Sequence, residues 1–154
     1  MRTIKFRGKR LDNGEWVYGY GVVFGEHYGE GNDEERQASI FIEYDEVSKL
    51  NFQFVEVDPK TVGQYTGLKD KNGKMIYEGD IVKGVFWRDG EKITVSIGEV
   101  RHGFGHWEVI IYPSHYYMPR LSQMHSGNKD CVEIIGNIYQ DSHLLENESK
   151  ELLK

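Results

Sequence analysis

The residues of this chain best suited to chemistry are two histidines, His102 and His106, separated by Gly103-Phe104-Gly105. On a helix this spacing would set both imidazoles on one face, as a zinc site requires. The glycines on either side of Phe104 argue against a helix. On an extended strand the two rings share a face but stand about 13 Å apart, too far for one metal ion. Only a looped conformation could bring them together. Neither Cys131 nor His125 stands at motif spacing to complete the four ligands of a closed site. The plainer reading is a glycine-rich hairpin turn carrying exposed or half-buried histidines. No metal ligand and no cofactor is assigned.

Acid–base chemistry has little more support. Asp58, Asp70, Glu78 and Asp80 lie in or beside turn sequences, where carboxylates serve local backbone hydrogen bonds. The chain has no G-x-S-x-G elbow, H-E-x-x-H, P-loop or G-x-G-x-x-G. Gly19-Tyr20-Gly21 sits within a strand pattern and does not open a helix, so it is not a phosphate cradle. Cys131 begins a strand with nothing nearby to lower its pKa. No catalytic residue is assigned.

The third constellation is a binding face. Trp16, Tyr18 and Tyr20 fall on one side of an extended segment, and the basic Met1–Arg10 strand is its natural partner, with Lys5, Arg7 and Lys9 as a basic patch. Small β-barrels bind single-stranded nucleic acid by stacking bases on aromatics beside a basic groove. An aromatic stripe also suits a core or a subunit interface. Tyr112, Tyr116 and Tyr117, near His115 and Arg120, make a second such patch.

These residues must be held by short strands. Ile4-Lys5-Phe6-Arg7 alternates, Asp12-Asn13-Gly14 supplies a two-residue-type hairpin turn, and Glu15–Phe24 is the return strand. Gly19 and Gly21, opposite the aromatics, allow close packing or strong coiling. Gly25–Arg36 reads as a loop. Gln37–Tyr44 and Phe52–Val57 read as strands, closed by Asp58-Pro59. Asp70-Lys71-Asn72-Gly73 is a second turn. Asp80–Trp87, Glu91–Arg101, Trp107–Tyr112 and Cys131–Tyr139 are strands, while Pro113–Asp130 has no period. Ser142–Lys154 is the one helical pattern, with Leu144, Leu145, Leu152 and Leu153 on one side. The fold class is all-β, with no internal repeat. Residues 1–58 are read as an N-terminal β-hairpin module and 59–76 as a connector. Residues 77–141 have the length and strand count of a five-stranded Src-homology-type barrel, and 142–154 form a helical tail.

Composition agrees. Glycine is 18 of 154 residues and proline only 3, with ten Tyr, seven Phe and three Trp, which favours strands and tight turns over a helical bundle. The net charge of −6 opposes a surface given over wholly to nucleic acid. Charge is nonetheless blocked: Met1–Arg10 is basic without an acid, and Glu26–Glu35 is acidic without Lys or Arg. No apolar run is long enough to span a bilayer, and the basic first residues have no apolar run behind them, so neither membrane span nor signal peptide is expected. The single cysteine cannot form an internal disulfide and points to the cytoplasm.

Several of these segments together resemble the YopX family, small proteins of bacteriophages and prophages of Gram-positive bacteria. The resemblance lies in Ile4-Lys5-Phe6-Arg7-Gly8-Lys9 with Trp16-Val17-Tyr18-Gly19, and in Gly63-Gln64-Tyr65-Thr66-Gly67-Leu68-Lys69-Asp70-Lys71-Asn72-Gly73. It continues in Ile76-Tyr77-Glu78-Gly79-Asp80-Ile81-Val82 and Glu133-Ile134-Ile135-Gly136-Asn137-Ile138-Tyr139, and so covers nearly the whole chain. It implies an all-β fold with a small barrel and extended hairpins used for self-association. The family is one of unknown function, so it supplies no catalytic or ligand residues.

The expected protein is thus a cytoplasmic, phage-encoded, non-enzymatic binding or scaffold protein. It would be homo-oligomeric through Trp16, Tyr18 and Tyr20, with a phage or host protein as a further partner. The alternative is a single-stranded nucleic-acid binder using Lys5, Arg7 and Lys9. A metal-assisted enzyme built on His102 and His106 ranks third.

Overall fold

The computed structural model describes residues 3–25, 37–43, 52–88, 91–111, 120–122 and 132–146. Outside them fall most of the acidic loop, the patch of Tyr112, His115, Tyr116 and Tyr117, then His125, Cys131, and Leu152 with Leu153. The chain divides into two units, Met1–Tyr65 and Thr66–Lys154.

The first unit contains β1 (Phe6–Arg10), β2 (Trp16–Gly19), β3 (Gly21–Gly25), β4 (Gln37–Glu43) and most of β5 (Phe52–Lys69). They pair in the order β2-β1-β5-β4-β3, antiparallel throughout. The expected return strand Glu15–Phe24 is therefore two strands with different partners: β2 pairs with β1 and β3 with β4. The change of partner occurs at Tyr20, whose N–H donates to the Phe41 carbonyl at 2.9 Å. Gly19 permits it, because a Cβ there would collide with the Phe41 carbonyl oxygen and stand 2.6 Å from Ile40 Cγ2. The two ends of the ladder are thus successive stretches of one bent segment.

Alternation along these strands sends Ala38, Ile40 and Val57 into a core joined by Phe6, Val17, Val22, Ile42 and Val62. The β1–β2 loop is longer than a two-residue turn. Arg10 N–H donates to Glu15 at 2.8 Å across a four-residue loop, and the Asn13 side-chain carbonyl accepts the Glu15 N–H at 2.9 Å. Asn13 thus spends its side chain on a local turn and does not take a positive φ.

Asp58-Pro59 does not end a strand. β5 runs through it as an irregularity: Lys9 lies opposite Asp58, while Arg7, two residues away, lies opposite Gly63. A proline fits there because the bulged residues leave the ladder. Thr61 repairs the break, its hydroxyl accepting the Lys9 N–H at 2.8 Å and donating to the Asp58 carbonyl at 2.7 Å. Much of the expected connector is consequently strand.

The second unit takes the end of β5 with β6 (Met75–Tyr77), β7 (Asp80–Arg88), β8 (Glu91–Gly103), β9 (His106–Ile111) and β10 (Val132–Asn137). β6 pairs with β5, and a four-stranded sheet runs β10-β7-β8-β9. Ile76, Val82, Val100, Val109, Leu121 and Val132 form its core, with Leu68, Trp107, Ile111 and Ile134 packed around them. Among the described residues no ladder joins β9 to β10, so the sheet is open along that side. Residues 143–146 form a single helical turn.

Candidate binding face

The β1–β2 hairpin sorts its side chains by the twofold period of a strand. Phe6, Gly8, Val17 and Gly19 take the core side. Lys5, Arg7 and Lys9 then share the outer face with Trp16, Tyr18 and Tyr20. The register sets Arg7 opposite Tyr18 and Lys9 opposite Trp16. All six residues singled out in the sequence therefore come together on one surface.

Two cations on this surface lie over two of its rings. The Arg7 guanidinium carbon lies 4.7 Å from the centre of the Trp16 ring, and Lys5 Nζ lies 5.5 Å from that of Tyr20. Both distances fall within cation–π range. Burial then separates their roles. Arg7 is only 5% exposed, so it serves to hold Trp16 and is withdrawn from the solvent-facing part of the basic patch. Lys5, Lys9 and Trp16 are half-buried. Tyr18 and Tyr20 stay 49% and 52% exposed and form the accessible part of the face. Tyr65, two residues beyond the Gly63 that faces Arg7, is buried on β5, and that burial pushes its phenol up from the ordinary tyrosine range. Its backbone N–H donates to the Lys5 carbonyl at 2.8 Å, fixing β1 beside it.

The histidine pair is not brought together. The β8–β9 turn is two residues long, so His102 lies opposite Trp107 and His106 opposite Gly103. Adjacent ladder positions point to opposite faces, which sends the two imidazoles to opposite sides of the hairpin. The His102 ring meets Trp107 edge-on at 5.0 Å, while His106 Nε2 lies 3.7 Å from Glu108 Oε2. The looped arrangement that could have joined them on one metal is not adopted.

Three of the turn acids, Asp58, Asp70 and Asp80, serve the backbone. Asp80 Oδ2 accepts the Tyr77 N–H at 2.8 Å, and Asp58 Oδ1 accepts that of Lys60 at 3.0 Å. Asp70 receives the N–H groups of Lys74, Asn72 and Ile134 at 2.8, 2.9 and 3.3 Å. Burial alone would raise its carboxyl, but these donors, with the Asn72 side chain, outweigh it and hold Asp70 below the ordinary aspartate value. In a group so occupied there is no lone pair waiting for substrate.

Two features escaped sequence reasoning. One is Phe104 at the tip of the β8–β9 hairpin. The other is a cleft of about 240 Å³ in the first unit, beside Leu11 and Phe54. Gly-Phe-Gly between two alternating runs is a usable signal for the first. The second arises from β1 ending before β5 does, which no local pattern marks.

Comparison with known proteins adds the following. The family model described as "YopX protein" matches residues 5–146. No curated protein matches the chain. Among solved structures, the chain is similar to the crystal structure of protein EF1440 from Enterococcus faecalis. The two are 22% identical, with 92% of this chain and 97% of that one covered, at a TM-score of 0.48. With nearly its whole length matched by the family model, the chain belongs to the YopX family.

Proposed function

We propose that this is a non-enzymatic binding or scaffold protein that acts as a homo-oligomer through the outer face of β1 and β2. One observation carries this reading: two half-exposed tyrosines continue the line of a tryptophan that lies under a buried arginine. Tyr, Trp and Arg are the residues most enriched at interface hot spots, where rigid rings add area at little entropic cost. Light scattering on the full chain at micromolar concentration tests it. The expected result is a particle larger than one chain that dissociates when Tyr18 and Tyr20 are both changed to Ala. A monomer unaffected by the double change would refute it.

A second reading is favoured by the placement of Lys5. A nucleobase could replace its ammonium on Tyr20 while the freed charge meets a phosphate, as in single-strand binders. Binding would then be salt-dependent and weakened in Lys5→Ala, Arg7→Ala and Lys9→Ala, with Arg7 acting mainly through Trp16. The absence of any mobility shift at low salt would end it.

The same proposal treats the second unit as a small barrel of Src-homology type. Its support is the way Leu68 and Ile76 of the β5–β6 hairpin pack into the core of the four-stranded sheet. It also places the protein in the cytoplasm of a bacterium carrying the phage or prophage, with a phage or host protein as a further partner. No helix among the described residues is long and apolar enough to cross a membrane.

A further inference from the structure

The start of β5 is covered on one side only. There β4 lies along it, from Glu43 opposite Phe52 to Ala38 opposite Val57. On the other side β1 reaches no further than Arg10, opposite Val57. Among the described residues no strand pairs with Phe52–Glu56 on that side.

Two hydrogen bonds fix which backbone groups face the opening. The Leu11 N–H donates to the Glu56 carbonyl at 3.3 Å, so Glu56 turns its backbone toward β1. The Tyr20 N–H donates to the Phe41 carbonyl at 2.9 Å, so Phe41 turns toward β3, and Ile40 and Ile42 on either side of it turn toward β5. Their partners on β5 are Val55 and Gln53. Alternation then gives Phe52, Phe54 and Glu56 to the open side.

A sheet edge is ordinarily blunted by Lys, Pro or a bulge, or is covered. Phe52-Gln53-Phe54-Val55-Glu56 has no Lys and no Pro, and the irregularity with Pro59 comes later, where β1 already lies beside β5. In the second unit, by contrast, a turn covers the edge of β10: Lys71 N–H donates to the Val132 carbonyl at 2.8 Å and Ile134 N–H to Asp70 at 3.3 Å. Phe54 also keeps its ring 57% exposed, tilted against Phe41 with centres 5.6 Å apart. The stretch is thus an apolar, unprotected edge of the kind that pairs with another chain.

We infer that Phe52–Glu56 pairs antiparallel with the same stretch of a second copy, about a two-fold axis at Phe54. The inference adds a contact to the reading of the protein as self-associating and rests on it. The limits of the open stretch select a second copy. It is bounded by the start of β5 at Phe52 and by β1 at Val57, with Phe54 at its middle. In the two-fold register Phe52 of each copy comes level with Glu56 of the other, the last position that β1 leaves open. A register one residue further would drive the incoming strand into Arg10. Charge agrees, because Glu56 is the one charged residue of the stretch and this register sets the two copies of it at opposite ends. At the centre, Phe54 exchanges both backbone hydrogen bonds with its counterpart, and the two rings form an aromatic cross-strand pair. Such a contact is isologous and closes as a dimer.

The test uses the full chain and a charge swap at the axis. Sedimentation compares the wild type, Phe54→Lys, Phe54→Glu and an equimolar mixture of the two variants. Like charges opposed at the centre should weaken this association roughly tenfold or more in each variant alone, and the mixture should recover the wild-type size. Hydrogen exchange should show the Glu56 amide protected in the wild type and open in Phe54→Lys. An association unchanged by either variant, or lost in both and not recovered on mixing, overturns the inference, as does a Glu56 amide that stays protected in monomeric Phe54→Lys. If Tyr18→Ala with Tyr20→Ala still dissociates the protein in that case, the self-association reading stands. A wild type that is monomeric at every concentration overturns both.

Discussion

Asp70 offers the sharpest check on the idea that the acids of the central motif are structural. It is nearly fully buried, and its two oxygens accept the Lys74, Asn72 and Ile134 backbone N–H groups. The first two belong to exposed turn residues, so on loss of the carboxylate water takes their place and only the net value of each bond is lost, about 0.5–1.5 kcal/mol apiece. The Ile134 N–H sits on half-buried β10, where an unmet donor costs about 1–3 kcal/mol. Asp70→Ala should therefore destabilise by about 2–6 kcal/mol, and Asp70→Asn, which keeps one oxygen, by roughly half. The difference depends on pH in a definite direction. The folded carboxyl is held below its unfolded value, so its contribution is complete above that unfolded value, near 3.8, and fades as pH falls through the lower folded value. Urea denaturation followed by tryptophan fluorescence at pH 7 and pH 3 is the assay. The gap between wild type and Asp70→Asn should narrow at pH 3. A cost under about 1 kcal/mol for Asp70→Ala, or a gap identical at the two pH values, would refute the assignment.

Other substitutions probe other joints. Gly19→Ala should lower stability by about 2–4 kcal/mol in thermal melts, because the added methyl meets the Phe41 backbone, which cannot rotate aside. Thr61→Val should cost about 1–3 kcal/mol by leaving the Lys9 N–H without its acceptor at the β5 irregularity, read by chemical denaturation. Phe104→Asn should raise stability by about 1 kcal/mol, because Asn tolerates the left-handed backbone better. Arg7→Lys should quench or shift Trp16 emission less than Arg7→Ala does, since both cations can face the ring but only Ala leaves it uncapped.

The residues themselves carry much of this fold. Alternation over Ile4–Arg7 put Ile4 and Phe6 on one face, and Phe6 does pack on the core of the first unit. The turn at Asp70-Gly73 was equally legible, since its acid and glycine have local work. The shared face of Lys5, Arg7, Lys9, Trp16, Tyr18 and Tyr20 was legible for the same reason: each strand fixes its own sides, and the turn pairs them.

Other features required the tertiary structure. Glu15–Phe24 reads as one strand, and only the competing edges of β1 and β4 split it at Tyr20. Asp58-Pro59 reads as a strand end, and only the Thr61 hydroxyl, recruited across the sheet by Lys9, lets β5 continue. His102 and His106 share a face on an extended strand, and the two-residue turn placed between them sends them apart. Arg7 looks like one more surface cation until burial over Trp16 withdraws it. Sequence by itself determined the all-β class, the facing sides of the first hairpin and the family, because these follow from the local periods and turn chemistry of the chain. Pairing, burial and the cleft beside Leu11 and Phe54 were decided by the tertiary structure, because they depend on which distant segments compete for the same edge.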